Sequence, residues 1–69
     1  MSNLPERLRL LRREKNLKQE EIAVLTGLGL RSYRRYETGE REPTLSALIK
    51  LADFFEVSID YLVGRSEVR

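Results

Sequence analysis

Gly27-Leu28-Gly29-Leu30-Arg31-Ser32-Tyr33-Arg34-Arg35-Tyr36-Glu37-Thr38-Gly39 reads as a tight turn feeding one short helix. On a 3.6-residue period Arg31, Arg34, Arg35 and Thr38 fall at i, i+3, i+4 and i+7 and share one face. Tyr33, Tyr36 and the stem of Glu37 fall on the other side, with Leu30 on the flank. One helix thus carries an aromatic face for packing and an arginine face. That second face is either a solvated charge stripe or a surface for something acidic.

The flanking sequence extends the pattern. Upstream, Gln19 to Thr26 reads as a helix with Glu20 and Glu21 in its first turn, where the helix dipole favours negative charge. Its inward face is Ile22, Ala23 and Thr26, and Gly27 ends it. Lys18 is a poor cap. Two helices joined by so short a glycine-containing turn cross steeply, as a helix-turn-helix does, and the small Ala23 permits close approach. Further upstream, Asn3 can cap a first helix, with Pro5 in its first turn and Glu6 three residues after the cap. Leu4, Leu8 and Leu11 form its stripe, ringed by Arg7, Arg9, Arg13 and Lys15, with Leu10 off the stripe. It should stop near Lys15-Asn16, with Leu17 anchoring the link.

Downstream, Gly39 closes the arginine helix and residues 40–43 form a charged turn. Thr44 caps a fourth helix whose expected apolar face is Leu45, Leu48, Ile49, Ala52 and Phe55, widened by Leu51. Phe54 points nearly the opposite way. Val57-Ser58 breaks the chain again. Ile59 to Val63 is a short fifth helix ended by Gly64, and Arg65 to Arg69 should fray. No segment alternates with period two, so the expected class is all-α, a compact five-helix domain without a sheet.

The chain of 69 residues with net charge +2 has room for one small core. It has no Cys and no His, which excludes disulfides and the usual zinc sites. No basic leader followed by an apolar run opens it, and no apolar stretch approaches the roughly 20 residues that span a membrane. The expectation is a soluble cytoplasmic protein, with no membrane association, cofactor or small-molecule ligand. The charge is uneven. Residues 1–35 hold nine Lys/Arg against four Glu, or +5, and residues 36–69 hold four against seven acids, or −3. One face should attract a polyanion.

Gln19-Glu20-Glu21-Ile22-Ala23, then Gly27-Leu28, then Arg35-Tyr36-Glu37-Thr38-Gly39, then Arg41-Glu42-Pro43-Thr44-Leu45 closely resembles the phage-repressor family of helix-turn-helix proteins, the Cro/repressor-like, Xre-type group. The resemblance runs from about Leu8 to Gly64. It implies a five-helix DNA-binding domain whose third helix enters the major groove of double-stranded DNA. It also implies that Gln19 contacts a phosphate, that Leu30, Arg31, Ser32 and Arg35 lie along the groove-reading front, and that Thr38 and Arg41 contact the backbone. Arg12 and Glu37 match a pair that forms an internal salt bridge in relatives. Departures are Gly29 at a usual Ser/Thr cap, Leu30 at a position often polar, Tyr33 at a common aliphatic position, and Lys18 at another usual cap.

The chemistry of the residues agrees with that implication. Arg bonds guanine O6 and N7 bidentately, typically worth about 1–3 kcal/mol of discrimination. Arg31 and Arg35 are favoured for bases and Arg34 for phosphate, although all three could hold phosphates. Leu30 either touches a thymine methyl or packs back on the helix flank. A Gly-rich phosphate loop is missing and the carboxylates are scattered, so catalysis is not expected. The alternative function is a repressor-like protein-interaction module, antitoxin-like for instance, that reads no DNA. A homodimer on two half-sites is expected of so small a domain. Its candidate contacts are Phe54, Ile59, Tyr61 and Val63, unless Ile59 and Tyr61 simply complete the monomer core.

Overall fold

The computed structural model describes residues 3–69. Met1 and Ser2, on which the reading of a missing leader partly rests, lie outside them. The described residues form five helices and no strand: α1 (Leu4–Glu14), α2 (Gln19–Thr26), α3 (Leu30–Thr38), α4 (Leu45–Phe55) and α5 (Ile59–Leu62). α1 and α2 both pack on α3, while α4 and α5 close the far side. No described helix is long and apolar enough to cross a membrane.

The core joins Leu4, Leu8 and Leu11 of α1, Ile22 of α2, Tyr33 and Tyr36 of α3, Leu51 and Phe55 of α4, and Leu62 of α5. Leu8, Ile22, Tyr33, Leu51 and Leu62 are wholly buried. Truncating such a leucine to alanine typically costs about 2–5 kcal/mol, a large share of what a domain this small possesses. Leu17 and Leu28 seal the edges of the core, as does the link between α4 and α5.

The helix ends follow local chemistry. Thr44 Oγ1 accepts the Ala47 amide at 3.2 Å and Ser58 Oγ accepts the Tyr61 amide at 3.0 Å, as N-caps do. Asn3, expected to cap α1, makes no side-chain cap bond. Lys18 has no acceptor to offer α2, and Glu21 compensates by accepting the Lys18 amide at 2.8 Å. Gly27 takes the left-handed conformation, φ 76°, which lets α2 turn into α3 within three residues. Asn16 does the same after α1, φ 56°. Glu56 ends α4 at φ 57°, a conformation that nothing in its side chain favours.

Further expectations are corrected. The buried face of α4 is Ala47, Leu51, Ala52 and Phe55, rotated from the expected one, and Leu45 and Ile49 are 68% and 44% exposed. Phe54 does not point away: it is half-buried, meets Phe55 edge-on at 5.1 Å, and lies under the Lys15 ammonium. Tyr61 is buried in the monomer, so it presents no free surface to a second chain.

The segment Arg65–Arg69 is not frayed but folds back. The Ser58 amide donates to Arg69 O at 2.7 Å, and the Arg69 guanidinium grips both Glu14 oxygens at 2.9 and 2.7 Å. Arg7 explains the rest. Expected at the rim of α1, it is only 8% exposed, with its guanidinium stacked on Tyr61 at 4.1 Å. It donates to Tyr61 O and to Ser66 O, and pairs with Glu67 at 3.1 Å.

Candidate nucleic-acid interface

α3 is divided lengthwise. Tyr33, Tyr36 and Glu37 are buried, Arg31, Arg34 and Thr38 are exposed, and Leu30, Ser32 and Arg35 are half-buried at the boundary. The division follows from the spacing of its tyrosines at i and i+3, which pull one side of the helix into the core.

Glu37 is the polar hinge of this arrangement. It is 2% exposed and accepts Arg12 Nε at 2.7 Å, Arg12 Nη2 at 3.1 Å and Gln19 Nε2 at 3.0 Å. The two residues paired by the resemblance therefore meet in a bidentate salt bridge between α1 and α3. Burial pushes the Glu37 carboxyl up, but the hydrogen bonds from Arg12 and Gln19, with the nearby Tyr33 hydroxyl, outweigh it and hold it below its ordinary value. The same carboxylate raises the Arg12 pKa. Burial drives the Tyr33 phenol far up, and Glu37 adds to the effect. The Tyr33 hydroxyl feels that charge without closing a hydrogen bond of normal geometry. Arg9 adds a further bond to Glu37 O, and Arg12 Nη1 reaches Leu17 O at 3.1 Å. Three α1 arginines thus serve the interior.

The outer arginines do the reverse. Among the described residues the side chains of Arg31, Arg35 and Arg41 have no hydrogen-bond or ion-pair partner. Leu30, Arg31, Arg34 and Arg35 line one open depression together with Glu40. Arg34 Nε touches Gln19 Oε1 at 3.4 Å, so Gln19 links the buried pair to the outer face. The backbone amide of Arg41 returns to Arg35 O at 3.4 Å, which brings the turn after α3 alongside the helix.

The structure thus brings Gln19, Leu30, Arg31, Arg34 and Arg35 together on the outer face of α3, whereas Arg41, in the turn after it, lines a separate pocket with Tyr36, Pro43 and Val63. Two of the expected site residues also have partners within the protein. Gln19, read as a phosphate contact, is also the brace of Glu37. The Thr38 hydroxyl, read as a backbone contact, is engaged within the protein: it reaches Glu40 Oε1 at 2.9 Å and Arg35 O at 3.1 Å. Glu40 was not among the expected site residues, since a carboxylate in a charged turn carries no signal of its own. Phe54, Ile59 and Val63 are half-buried and belong to α4, α5 and its C-terminus rather than to this face.

Known proteins resemble this chain in sequence and in fold. A family profile described as helix-turn-helix matches residues 8–62. The transcriptional repressor RstR of a cryptic CTXphi phage in Vibrio cholerae is 45% identical over 90% of this chain and 55% of its own length. The restriction-modification controller protein C.AhdI from Aeromonas hydrophila is 36% identical over 86% of this chain and 89% of its own, with a TM-score of 0.79. The P22 c2 repressor, solved in complex with a synthetic operator, has a TM-score of 0.87 over 96% of this chain and the whole of its own. At 24% identity that likeness concerns the fold. The chain spans about half the length of the curated relatives it matches.

Proposed function

The chain belongs to the helix-turn-helix family of phage repressors and related transcriptional regulators, and from that membership we propose that it is a sequence-specific double-stranded DNA-binding transcriptional regulator. α3 enters the major groove, and two copies bind a two-fold operator.

The observation that carries this reading is the contrast between the arginines. Arg7, Arg9 and Arg12 are engaged internally, whereas Arg31 and Arg35 are held on a rigid helix with every donor free. Free guanidinium forks on a helix face match the O6 and N7 acceptors of guanine. Arg34 and Gln19 at the edge of that face serve phosphates, as does Arg41 from the turn. The Gln19 and Glu20 amides at the start of α2 have no acceptor within the described residues, which suits a phosphate oxygen. Leu30 lines the depression and can meet a thymine methyl. Dimerisation draws on the half-buried apolar residues Phe54, Ile59 and Val63.

Selection of bound sequences from a random duplex pool tests the proposal. A palindromic motif is the expected product, with Arg31→Ala and Arg35→Ala each relaxing it at one position per half-site. Arg34→Ala should weaken all sequences alike and lower the salt slope by about 1. No enrichment by the wild-type protein would remove the DNA reading and favour a protein-interaction module. Sedimentation that shows a monomer on a two-fold duplex would remove the dimer.

A further inference from the structure

Glu40 is the one carboxylate in the depression otherwise lined by Leu30, Arg31, Arg34 and Arg35. It forms no ion pair with those arginines or with Arg41: the three salt bridges among the described residues are Arg7–Glu67, Arg12–Glu37 and Arg69–Glu14. Its side chain is instead fixed by Thr38 Oγ1 at 2.9 Å, and its amide approaches the same oxygen at 3.4 Å. The Thr38 hydroxyl therefore holds a negative charge beside the arginines without neutralising them.

Resting on the DNA reading above, we propose that Glu40 is a specificity-determining residue that penalises sequence-independent binding. The reasoning is chemical. An arginine is satisfied equally by a phosphate oxygen and by a guanine edge, so a face of arginines alone holds any duplex. A carboxylate cannot be satisfied by phosphate. In the major groove it has partners only in the amino groups of bases, cytosine N4 above all. When the arginines serve phosphates, Glu40 is carried toward the same anions and repelled. When Arg31 and Arg35 reach base edges, Glu40 faces a surface that also carries donors, and the penalty falls. Glu40 thus widens the gap between the matched duplex and all others.

The test measures binding to two duplexes by fluorescence anisotropy across a salt series: the wild-type selected sequence and a mixed-sequence duplex of equal length. Glu40→Gln removes the charge with little change of shape. It should tighten binding to the mixed duplex about fivefold, the size of one unit-charge repulsion at close range in water, and tighten the selected duplex clearly less. Glu40→Asp keeps the charge and should stay within about twofold of wild type on both. The thermal midpoint of Glu40→Gln should not move, since the side chain is exposed. Equal tightening on both duplexes, or none on the mixed duplex, overturns the inference while leaving DNA binding intact. Wild-type failure to bind either duplex at low salt overturns both.

Discussion

Replacing Arg12 by alanine should unfold a large fraction of this domain. The carboxylate of Glu37 is 2% exposed and receives three hydrogen bonds, two of them from Arg12. Without Arg12 it keeps only Gln19 Nε2, and a charge that needs solvation is left in a site that water scarcely reaches. Breaking a buried pair by removing one partner typically costs about 3–5 kcal/mol. Arg12 itself is 17% exposed along its side chain, so water enters part of the space and the lower end, about 3 kcal/mol, is expected. For a domain of this size about 1 kcal/mol moves the thermal midpoint by about 4–8 °C, so the shift should exceed about 12 °C. Total stability for such a small core is about 3–5 kcal/mol, which makes partial unfolding visible at 25 °C. Urea titration followed by far-UV circular dichroism measures the loss. The single variants Arg12→Met and Glu37→Met and their double variant form the cycle. Removing both charges together should cost well under the sum of the single losses, with a coupling of about 2–3 kcal/mol. A loss below about 1 kcal/mol for Arg12→Ala, or additivity in the cycle, refutes the claim that Glu37 depends on Arg12 for its place in the interior.

Acid should destabilise the fold through the same group. Glu37 has its folded pKa depressed below the ordinary 4.5, so its contribution is full above that value and is lost as pH falls through the folded one. Thermal midpoints should hold from pH 5 to 8, the chain having no His, and decline in acid. Tyr33 acts oppositely: its raised folded pKa makes its contribution full below 10.0 and lost in stronger alkali. Glu56→Gly should stabilise the protein by about 1 kcal/mol, because φ 57° strains any residue with a Cβ, and a midpoint rise of a few degrees checks it. Gly64→Ala should destabilise by more than about 1 kcal/mol, since φ is +88° and the added Cβ would lie 2.9 Å from Asn3 N; a melt no lower than wild type would contradict that close approach. Arg7→Ala should cost about 1.5–3 kcal/mol through lost charge-assisted bonds and should raise amide exchange in residues 65–69; unchanged protection there would mean that the tail holds without Arg7.

Much of this architecture is written in short-range signals. Residues with few conformational options fix the helix boundaries: Gly27 and Asn16 at positive φ, Thr44 and Ser58 as caps. The lengthwise division of α3 follows from periodicity alone. The errors arise where long-range packing decides. α4 offers apolar residues on nearly every side, and its own pattern does not select the buried face. Arg7, Phe54 and Tyr61 depend on residues more than fifty positions apart in sequence or on neighbouring helices, contacts that no periodic pattern records. Glu40 escaped notice because its importance lies in its neighbours on α3.

The early excess of positive charge illustrates the same point. The sequence places +5 in residues 1–35, which reads as one basic surface. The fold separates that charge by depth. Arg12 is neutralised by Glu37 and Arg7 by Glu67, while Arg9 serves a backbone carbonyl. These three arginines fasten α1 to the C-terminal tail at one end and to α3 at the other, so they help to set the position of the outer arginines. Of the charge that remains, Arg13, Lys15 and Lys18 are exposed on α1 and the link after it, while Arg31, Arg34 and Arg35 form a narrow stripe on α3 that Glu40 interrupts. A diffuse basic surface would hold any nucleic acid. A stripe one helix wide, on a helix braced from behind through Arg12, Glu37 and Gln19, fixes where its donors start, which under the proposed DNA reading favours one register against a groove.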